Sequence, residues 1–298
     1  MNAAASLLPL LNRIGWSLPL FLLAFLAVWL AKALYQWTER FNFSEQLTEK
    51  DNPAFGTALA GYLTGVTIAL LGAFPDPQDA PGDWSSLLTV LDDFVWQAIL
   101  VAILMRLSVW IVGRFVLYKF GVDDEMVNDR NVGAGAVLAG GSIAAGLVLR
   151  GALSGNSDSM LMALRDLCVF WATGQIILVV GAWLYIHVVR FDVEKVIQDN
   201  NVPAGFSLGG FLTAIGITIR ASLTGASSDL GAELLKIVVC SVVGLALLVC
   251  SAIIGARVFL PHSPISKEIA EDRNPAAGLI SAACFIAIAL LLARVIAL

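Results

Sequence analysis

The chain is divided by long stretches that contain no charged residue. Each stretch holds roughly 18–24 residues, which at about 1.5 Å of rise per residue is enough for a helix to cross a ~30 Å hydrocarbon core. The pattern therefore predicts eight transmembrane helices and an all-α membrane protein. Seven stretches are uninterrupted and the eighth contains only Arg106: residues 14–31, 52–75, 94–113 (with Arg106), 131–149, 167–189, 200–219, 237–256 and 274–293.

Composition supports a membrane protein. The 298 residues are 58% hydrophobic and 14% charged, whereas soluble domains are about 25% charged. The net charge is −5 and no basic tract is present, which argues against nucleic acid as a partner. The partner that the composition predicts is the lipid bilayer. The four cysteines lie in apolar runs without a C-x-x-C pair, so we expect no disulfide, no metal site and no cofactor.

A short motif, N-x-x-x-G, recurs four times in the connecting loops. The spacings between successive asparagines are 79, 70 and 73 residues. The repeated unit is one helix, an acidic loop, the motif and a second helix, so two membrane crossings separate one motif from the next. This predicts four tandem hairpins with the same orientation, paired as residues 1–155 and 156–298. The motifs begin at Asn52, Asn131, Asn201 and Asn274.

The residues around the motif resemble the YjfL family, known as domain of unknown function 350. That family has an acidic loop, then an asparagine followed by small residues, then a glycine-rich membrane helix. Gly133 and Pro203 depart from its pattern at the first small position. The resemblance implies a bacterial inner-membrane location and no established activity. It is carried by residues 49–71, 129–150, 199–220 and 267–290.

The motif asparagines are predicted to cap helices. Asparagine is among the best N-cap residues, and proline is favoured at the first helical position. Asn52-Pro53 and Asn274-Pro275 match these preferences, and the repeat predicts the same role for Asn131 and Asn201. Capping predicts that aspartate is tolerated in their place. In the alternative hypothesis the four side chains bind an anion together at the cytoplasmic face, and aspartate is then more harmful than alanine.

Glycines follow the motif at positions that share one helix face. Four-residue spacing of small residues lets helix backbones approach closely, so we expect helix–helix contacts there. A permeation path lined by these faces is the alternative. The glycines are Gly56, Gly61, Gly65, Gly135, Gly140, Gly205, Gly209 and Gly278.

Several charges lie in or beside the predicted spans. Arg106 is intramembrane, where arginine reaches the interface or faces a partner. Arg150 and Arg220 each lie nineteen residues beyond a motif asparagine and would mark the outer helix ends, singly or as a positive mouth. Interfacial pairing, with a proton relay as the alternative, is predicted for Asp93, Asp166 and Glu233.

Basic residues near the helix ends predict the orientation. Ten Lys or Arg flank the ends that carry the motif loops, against six at the other ends and the termini. We therefore expect cytoplasmic motif loops and both termini outside.

No catalytic motif is recognisable, so we expect no enzyme. The function predicted is a structural or accessory subunit that forms homo-oligomers or assembles with other membrane proteins and engages cytoplasmic partners at the motif loops. A channel or transporter for a small ion or polar solute is the alternative. Sparse charge in the spans argues against a proton-coupled pump.

Overall fold

A computed structural model describes residues 3–75, 81–155, 159–223, 229–259 and 263–296. Within these ranges the chain is helical, without a strand. The eight long helices are α1 (Ala3–Thr38), α2 (Pro53–Leu70), α3 (Trp84–Ile111), α5 (Val132–Leu153), α6 (Met160–Val188), α8 (Val202–Ser222), α9 (Leu230–Phe259) and α11 (Pro275–Ile296).

All eight long helices contain a segment that is long and apolar enough to cross a membrane. The predicted all-α fold with eight spans is therefore confirmed. α3 continues into a π-helical turn, Val112–Val116, so its apolar segment extends over 33 residues.

The helices form two rows. The inner row is α2, α5, α8 and α11, in which each helix packs along the next. The outer row is α1, α3, α6 and α9; α3, α6 and α9 each pack against two neighbouring inner helices. Close backbone contacts join Gly135 to Ala54 near the start of one inner pair and Gly146 to Gly65 further along it. Because the N-terminal end of one inner helix contacts the N-terminal end of the next, the inner helices run in the same direction.

A short helical segment precedes each inner helix. These segments are a π-helical turn (Glu45–Glu49), α4 (Val122–Val127), α7 (Val193–Gln198) and α10 (Ile265–Ala270). All four lie at one end of the bundle, here called the motif end. The residue before each motif asparagine has a positive φ, between 46° and 57°. This left-handed residue turns the chain from the short segment into the inner helix.

Polar side chains tie the outer row to the inner row within the spans. The Tyr62 hydroxyl donates to the Ala31 carbonyl, 3.1 Å away. The Tyr185 hydroxyl lies 2.7 Å from Ser207 Oγ, which in turn lies 2.6 Å from Ser281 Oγ. Since a hydroxyl buried in an apolar region needs a partner, this chain of three hydroxyls fixes α6, α8 and α11 relative to one another.

Candidate functional site

The motif asparagines begin the inner helices. Asn131 Oδ1 accepts the Ala134 N–H at 3.1 Å, and Asn201 Oδ1 accepts the Ala204 N–H at 3.0 Å. Asn52 Oδ1 accepts two N–H groups of α2, at 3.1 and 3.2 Å, and Asn274 accepts the Ala276 N–H at 3.0 Å. Each side chain thus satisfies backbone donors that a helix start leaves without a partner.

The side-chain amide of the same asparagine reaches the next unit. Asn52 Nδ2 donates to the Met126 carbonyl at 2.8 Å. Asn131 Nδ2 donates to the Ile197 carbonyl at 2.6 Å, and Asn201 Nδ2 to the Ile269 carbonyl at 2.7 Å. Asn52, Asn131 and Asn201 are at most 2% exposed. Their donors are therefore directed at protein carbonyls and not toward a common anion.

A polar side chain from the preceding short segment supports the amide in three units. Asn52 Nδ2 donates to Gln46 Oε1, Asn131 Nδ2 to Glu125 Oε2, and Asn274 Nδ2 to Glu268 Oε2, each at 2.9 Å. The acceptor lies six residues before the asparagine, and the asparagine N–H also bonds the carbonyl of that same residue. The Asn274 bond lowers the pKa of the Glu268 carboxyl.

The third unit departs from this arrangement because its loop is one residue shorter. The Asn201 N–H bonds the carbonyl of Val196, five residues earlier, at 3.2 Å. Val196 has no polar side chain to support the Asn201 amide. The nearby acid, Glu194, is fully buried and forms an ion pair with Lys119 at 3.1 Å. Lys119 also contacts Asp192 at 3.1 Å, and the pKa of Lys119 is raised by these two carboxylates.

Seven of the eight predicted glycines lie where helix backbones touch. A Cβ atom added at any of them would come closer than 3.0 Å to an atom of a neighbouring helix. Gly140, for example, faces the backbone of Gly209, and Gly205 faces that of Gly133. The seven are Gly61, Gly65, Gly135, Gly140, Gly205, Gly209 and Gly278.

Gly56 differs from this expectation. Within the described part of the chain, a Cβ atom at Gly56 would meet only Leu47 Cδ2, at 3.9 Å. Gly135, Gly205 and Gly278 are the equivalent glycines of the other units, and all three contact the preceding inner helix. Among the described residues, α2 is the first of the inner helices, so Gly56 has no preceding inner helix to contact there.

Arg106 has a protein partner near the motif end. Its guanidinium donates to Glu39 Oε1 at 2.7 Å and to the Thr38 hydroxyl. The guanidinium carbon also lies 4.9 Å from the ring centre of Tyr35. Arg106 therefore joins α3 to the end of α1 by an ion pair and a cation–π contact.

Glu39 titrates abnormally because of this environment. Its side chain is 8% exposed, and burial, with a contribution from the Asp123 charge, raises the pKa of Glu39 to about 7, although the Arg106 charge opposes the shift. Glu39 follows the last residue of α1, so it lies at the membrane boundary. The sequence offered no sign of it, since Glu39 is one acid among several in that loop.

The remaining predicted charges lie toward the opposite end. Asp166 forms an ion pair with Arg165 at 2.8 Å, Asp93 is exposed, and Glu233 is buried. Arg150 and Arg220 are close enough for their charges to interact. Among the described residues, no group of three His, Cys, Asp or Glu side chains could hold a metal ion.

An aromatic groove of about 430 Å³ opens at the motif end between α3 and α6. The Trp183 indole N–H donates to the Phe115 carbonyl across it, at 2.8 Å. The tryptophan and tyrosine of the groove are the residue types that concentrate at membrane interfaces. It is lined by Arg114, Phe115, Tyr118, Trp183, Ile186 and His187.

Comparison with known proteins identifies the family of the chain. The sequence pattern of the family described as Domain of Unknown Function (DUF350) matches residues 9–153 and 159–296. The chain belongs to this family. A UPF0719 transmembrane protein of Aquifex aeolicus (strain VF5) is 22% identical to this DUF350 chain over 237 residues, which is 79% of the chain and 83% of the relative. No solved structure matches.

Proposed function

We propose that this multi-pass DUF350 protein is a non-enzymatic structural subunit of the bacterial inner membrane, which assembles with other copies or other membrane proteins. The observation that supports this most directly is the tight packing between the helices of the inner row. Gly61, Gly140 and Gly209 bring helix backbones into direct contact, which leaves no width for a solute between those helices. Such packing suits a rigid strip of helices that presents faces to neighbours.

The assembly is tested by extracting the protein from membranes in polymer-bounded native discs and measuring the protein mass per disc. We expect discs that hold more than one 31.6 kDa chain or a chain with a stoichiometric partner. Discs that hold a single chain alone would contradict the assembly role. The isolated detergent-solubilised monomer serves as the mass reference.

One observation favours the second candidate, a channel or transporter. Gln175 lies midway along α6 and is 3% exposed, and neither polar atom of its amide has a hydrogen-bond partner among the residues that the structure describes. An unpartnered amide at that depth is costly and would be explained by a polar solute passing beside it. Ion and polar-solute flux into proteoliposomes should equal that of empty liposomes. Flux that the Gln175→Leu variant abolishes would replace the structural role with transport.

We also propose that the motif end is cytoplasmic and that it binds cytoplasmic partners. The basic residues concentrated at this end support the orientation. In a cysteine-free background, Asp124→Cys should resist a membrane-impermeant thiol reagent in spheroplasts and react after lysis, because Asp124 is exposed at the motif end. Gly82→Cys, exposed at the opposite end, is the matched control and should react in both. If Asp124→Cys reacts in spheroplasts and Gly82→Cys does not, the motif end lies outside the cell.

A further inference from the structure

Contacts between successive inner helices follow one rule, and each such contact is called a joint. The residue nine positions after a motif asparagine packs on the residue eight positions after the next one. The three joints contain the pairs Gly61–Ala139, Gly140–Gly209 and Gly210–Ala282. The glycine four positions after the next asparagine contacts the residue two positions after the first, as Gly278 contacts Pro203.

Each joint also contains one amide hydrogen bond. The motif asparagine donates to the carbonyl of Met126, Ile197 or Ile269 in the following unit. Asn274 belongs to the last unit, and among the described residues its amide donates only to Glu268. The residue equivalent to Met126 in the first unit is Leu47, which is 37% exposed. The last unit thus holds an unused donor, and the first unit exposes the position that would receive it.

Both free faces of the row keep the small residues of a joint. On α2, Gly56 and Ala60 occupy the receiving positions, with Gly56 half-buried and Ala60 exposed. On α11, Ala276 and Ala283 occupy the donating positions, and both are exposed. A glycine inside a helix lowers helix stability, and no neighbour within the described part of the chain uses Gly56.

We propose that α11 of one copy packs on α2 of a second copy as a fourth joint, with Asn274 Nδ2 donating to the Leu47 carbonyl and Ala283 against Ala60. The inference rests on the proposed assembly function and specifies its surface and its partner. Because the inner helices run in the same direction, a copy added in this way keeps the same orientation in the membrane. The contact is heterologous and extends the row or closes it into a ring.

The end helices fit this role. In their most apolar segments, only 17% of the residues of α1 and 11% of those of α11 are buried, against 56% for α2. Packing α11 on α2 would also place the partner's α11 beside α1, as α3 lies beside both α2 and α5. Ala283 carries a Cβ where the other joints have glycine, so the fourth joint is wider and easier to separate than the three internal ones.

Disulfide cross-linking in native membranes tests the geometry. In a background without the four native cysteines, membranes in which Ala60→Cys and Ala283→Cys chains are co-expressed should form a cross-linked dimer, because the equivalent internal pairs are in contact. Neither variant alone should cross-link, since a heterologous contact never places a residue against itself. Val180→Cys, exposed on α6, replaces Ala60→Cys as the collision control and should give no dimer with Ala283→Cys.

A glycine substitution separates assembly from folding. Gly56→Leu should preserve the Tm of the detergent-solubilised monomer, because a Cβ at this position makes only an ordinary van der Waals contact with Leu47, and it should abolish the cross-linked dimer. Gly278→Leu is the matched control at the equivalent position of the last unit. Its Cβ would lie 2.5 Å from the Pro203 carbonyl oxygen, so that variant should lose folded protein.

The outcomes distinguish this interface from the assembly role. Cross-linking of Ala60→Cys or Ala283→Cys with itself, a Val180→Cys dimer of equal yield, or an undiminished dimer with Gly56→Leu would each overturn the head-to-tail joint. If the discs still hold several copies, the assembly role survives and only the surface is wrong. If the discs hold one chain alone, both proposals fail.

Discussion

The inner helix α5 and the outer helix α6 are similarly apolar and yet lie in different surroundings. Their most apolar segments have mean hydropathies of 1.9 and 2.0, but 78% of the residues are buried in α5 and 33% in α6. α5 contains six glycines and α6 contains two. Because lipid is as apolar as leucine, side-chain size and not hydrophobicity decides which helix lies inside.

The largest loss of stability is expected when a joint is filled by a larger side chain. Gly140→Leu would force a side chain into the Gly209 backbone, and we expect a loss of about 3 kcal/mol or more of unfolding free energy, the upper range for overpacking. Val180→Leu, on the lipid-exposed face of α6, should leave stability unchanged. Thermal unfolding in detergent measures both, and equal Tm values for the two variants would refute the assignment of Gly140 to a joint.

The motif asparagine of an internal joint should matter more for stability than the one at the end of the row. Asn131→Ala removes a cap, worth about 0.5–2 kcal/mol, and takes from the buried Glu125 carboxylate its amide donor, worth about 1–3 kcal/mol more. The Ile197 carbonyl still accepts the Asn200 N–H, at 2.9 Å. Asn274→Ala removes a half-buried cap and the amide bond to Glu268, a half-buried carboxylate that water can reach, and should cost about 0.5–2 kcal/mol. Chemical or thermal unfolding ranks the two, and a larger loss at Asn274 would contradict the role of the joint.

The structure overturns one consequence drawn from capping alone. Aspartate was expected to be tolerated in place of the asparagines, as at an ordinary N-cap. At Asn131, however, Nδ2 donates to Glu125 Oε2, so Asn131→Asp would place two carboxylates together and remove the donor. It should therefore destabilise more than Asn131→Ala without any anion site. If Asn131→Asp is more stable than Asn131→Ala in thermal unfolding, the hydrogen bond between the Asn131 amide and Glu125 does not contribute to stability.

The burial of Glu39 predicts a pH dependence of stability. The pKa of Glu39 rises from an ordinary 4.5 to about 7, so the folded state binds this proton more tightly than the unfolded state. The resulting stability is complete below about pH 4.5 and is lost as the pH rises through 7. The loss should be on the order of 1–3 kcal/mol after screening by solvent.

Glu39→Gln should flatten this part of the stability profile, since glutamine does not titrate. Glu45→Gln, at a side chain that is 42% exposed, is the control and should follow the unmodified protein. The measurement is Tm across the same pH range. If the Tm of Glu39→Gln still falls as the pH rises through 7, the titration belongs to another group.

The smallest expected effect concerns the left-handed residue before each motif. Arg130 has a φ of 51°, a conformation that glycine adopts freely and a β-branched residue does not. Arg130→Gly should stay within about 1 kcal/mol of the unmodified protein, whereas Arg130→Val should cost about 1–2 kcal/mol. Arg114→Val, at a right-handed position, controls for loss of charge. Equal stability of the valine and glycine variants would contradict the strained turn.

Parts of the candidate site were accessible from the sequence and parts were not. Asn52-Pro53 and Asn274-Pro275 are local cap signals, so the helix starts could be predicted. The supporting Gln46, Glu125 and Glu268 share a position six residues before the asparagine, a signal that a repeat alignment contains but that the one-residue deletion before Asn201 hides. Glu39 carries no local signal, because its altered pKa comes from burial beside another helix.

The eight spans, the four repeated motifs and the helix caps can be predicted from the sequence, because charge-free length and capping depend on residues close together in the chain. The identity of the four inner helices and the acceptors of the asparagine amides become visible only in the folded chain. Those bonds join residues separated by 74, 66 and 68 positions. Over such distances hydropathy is nearly uniform, and the partner of a side chain is chosen by the close approach of helix backbones that glycine permits.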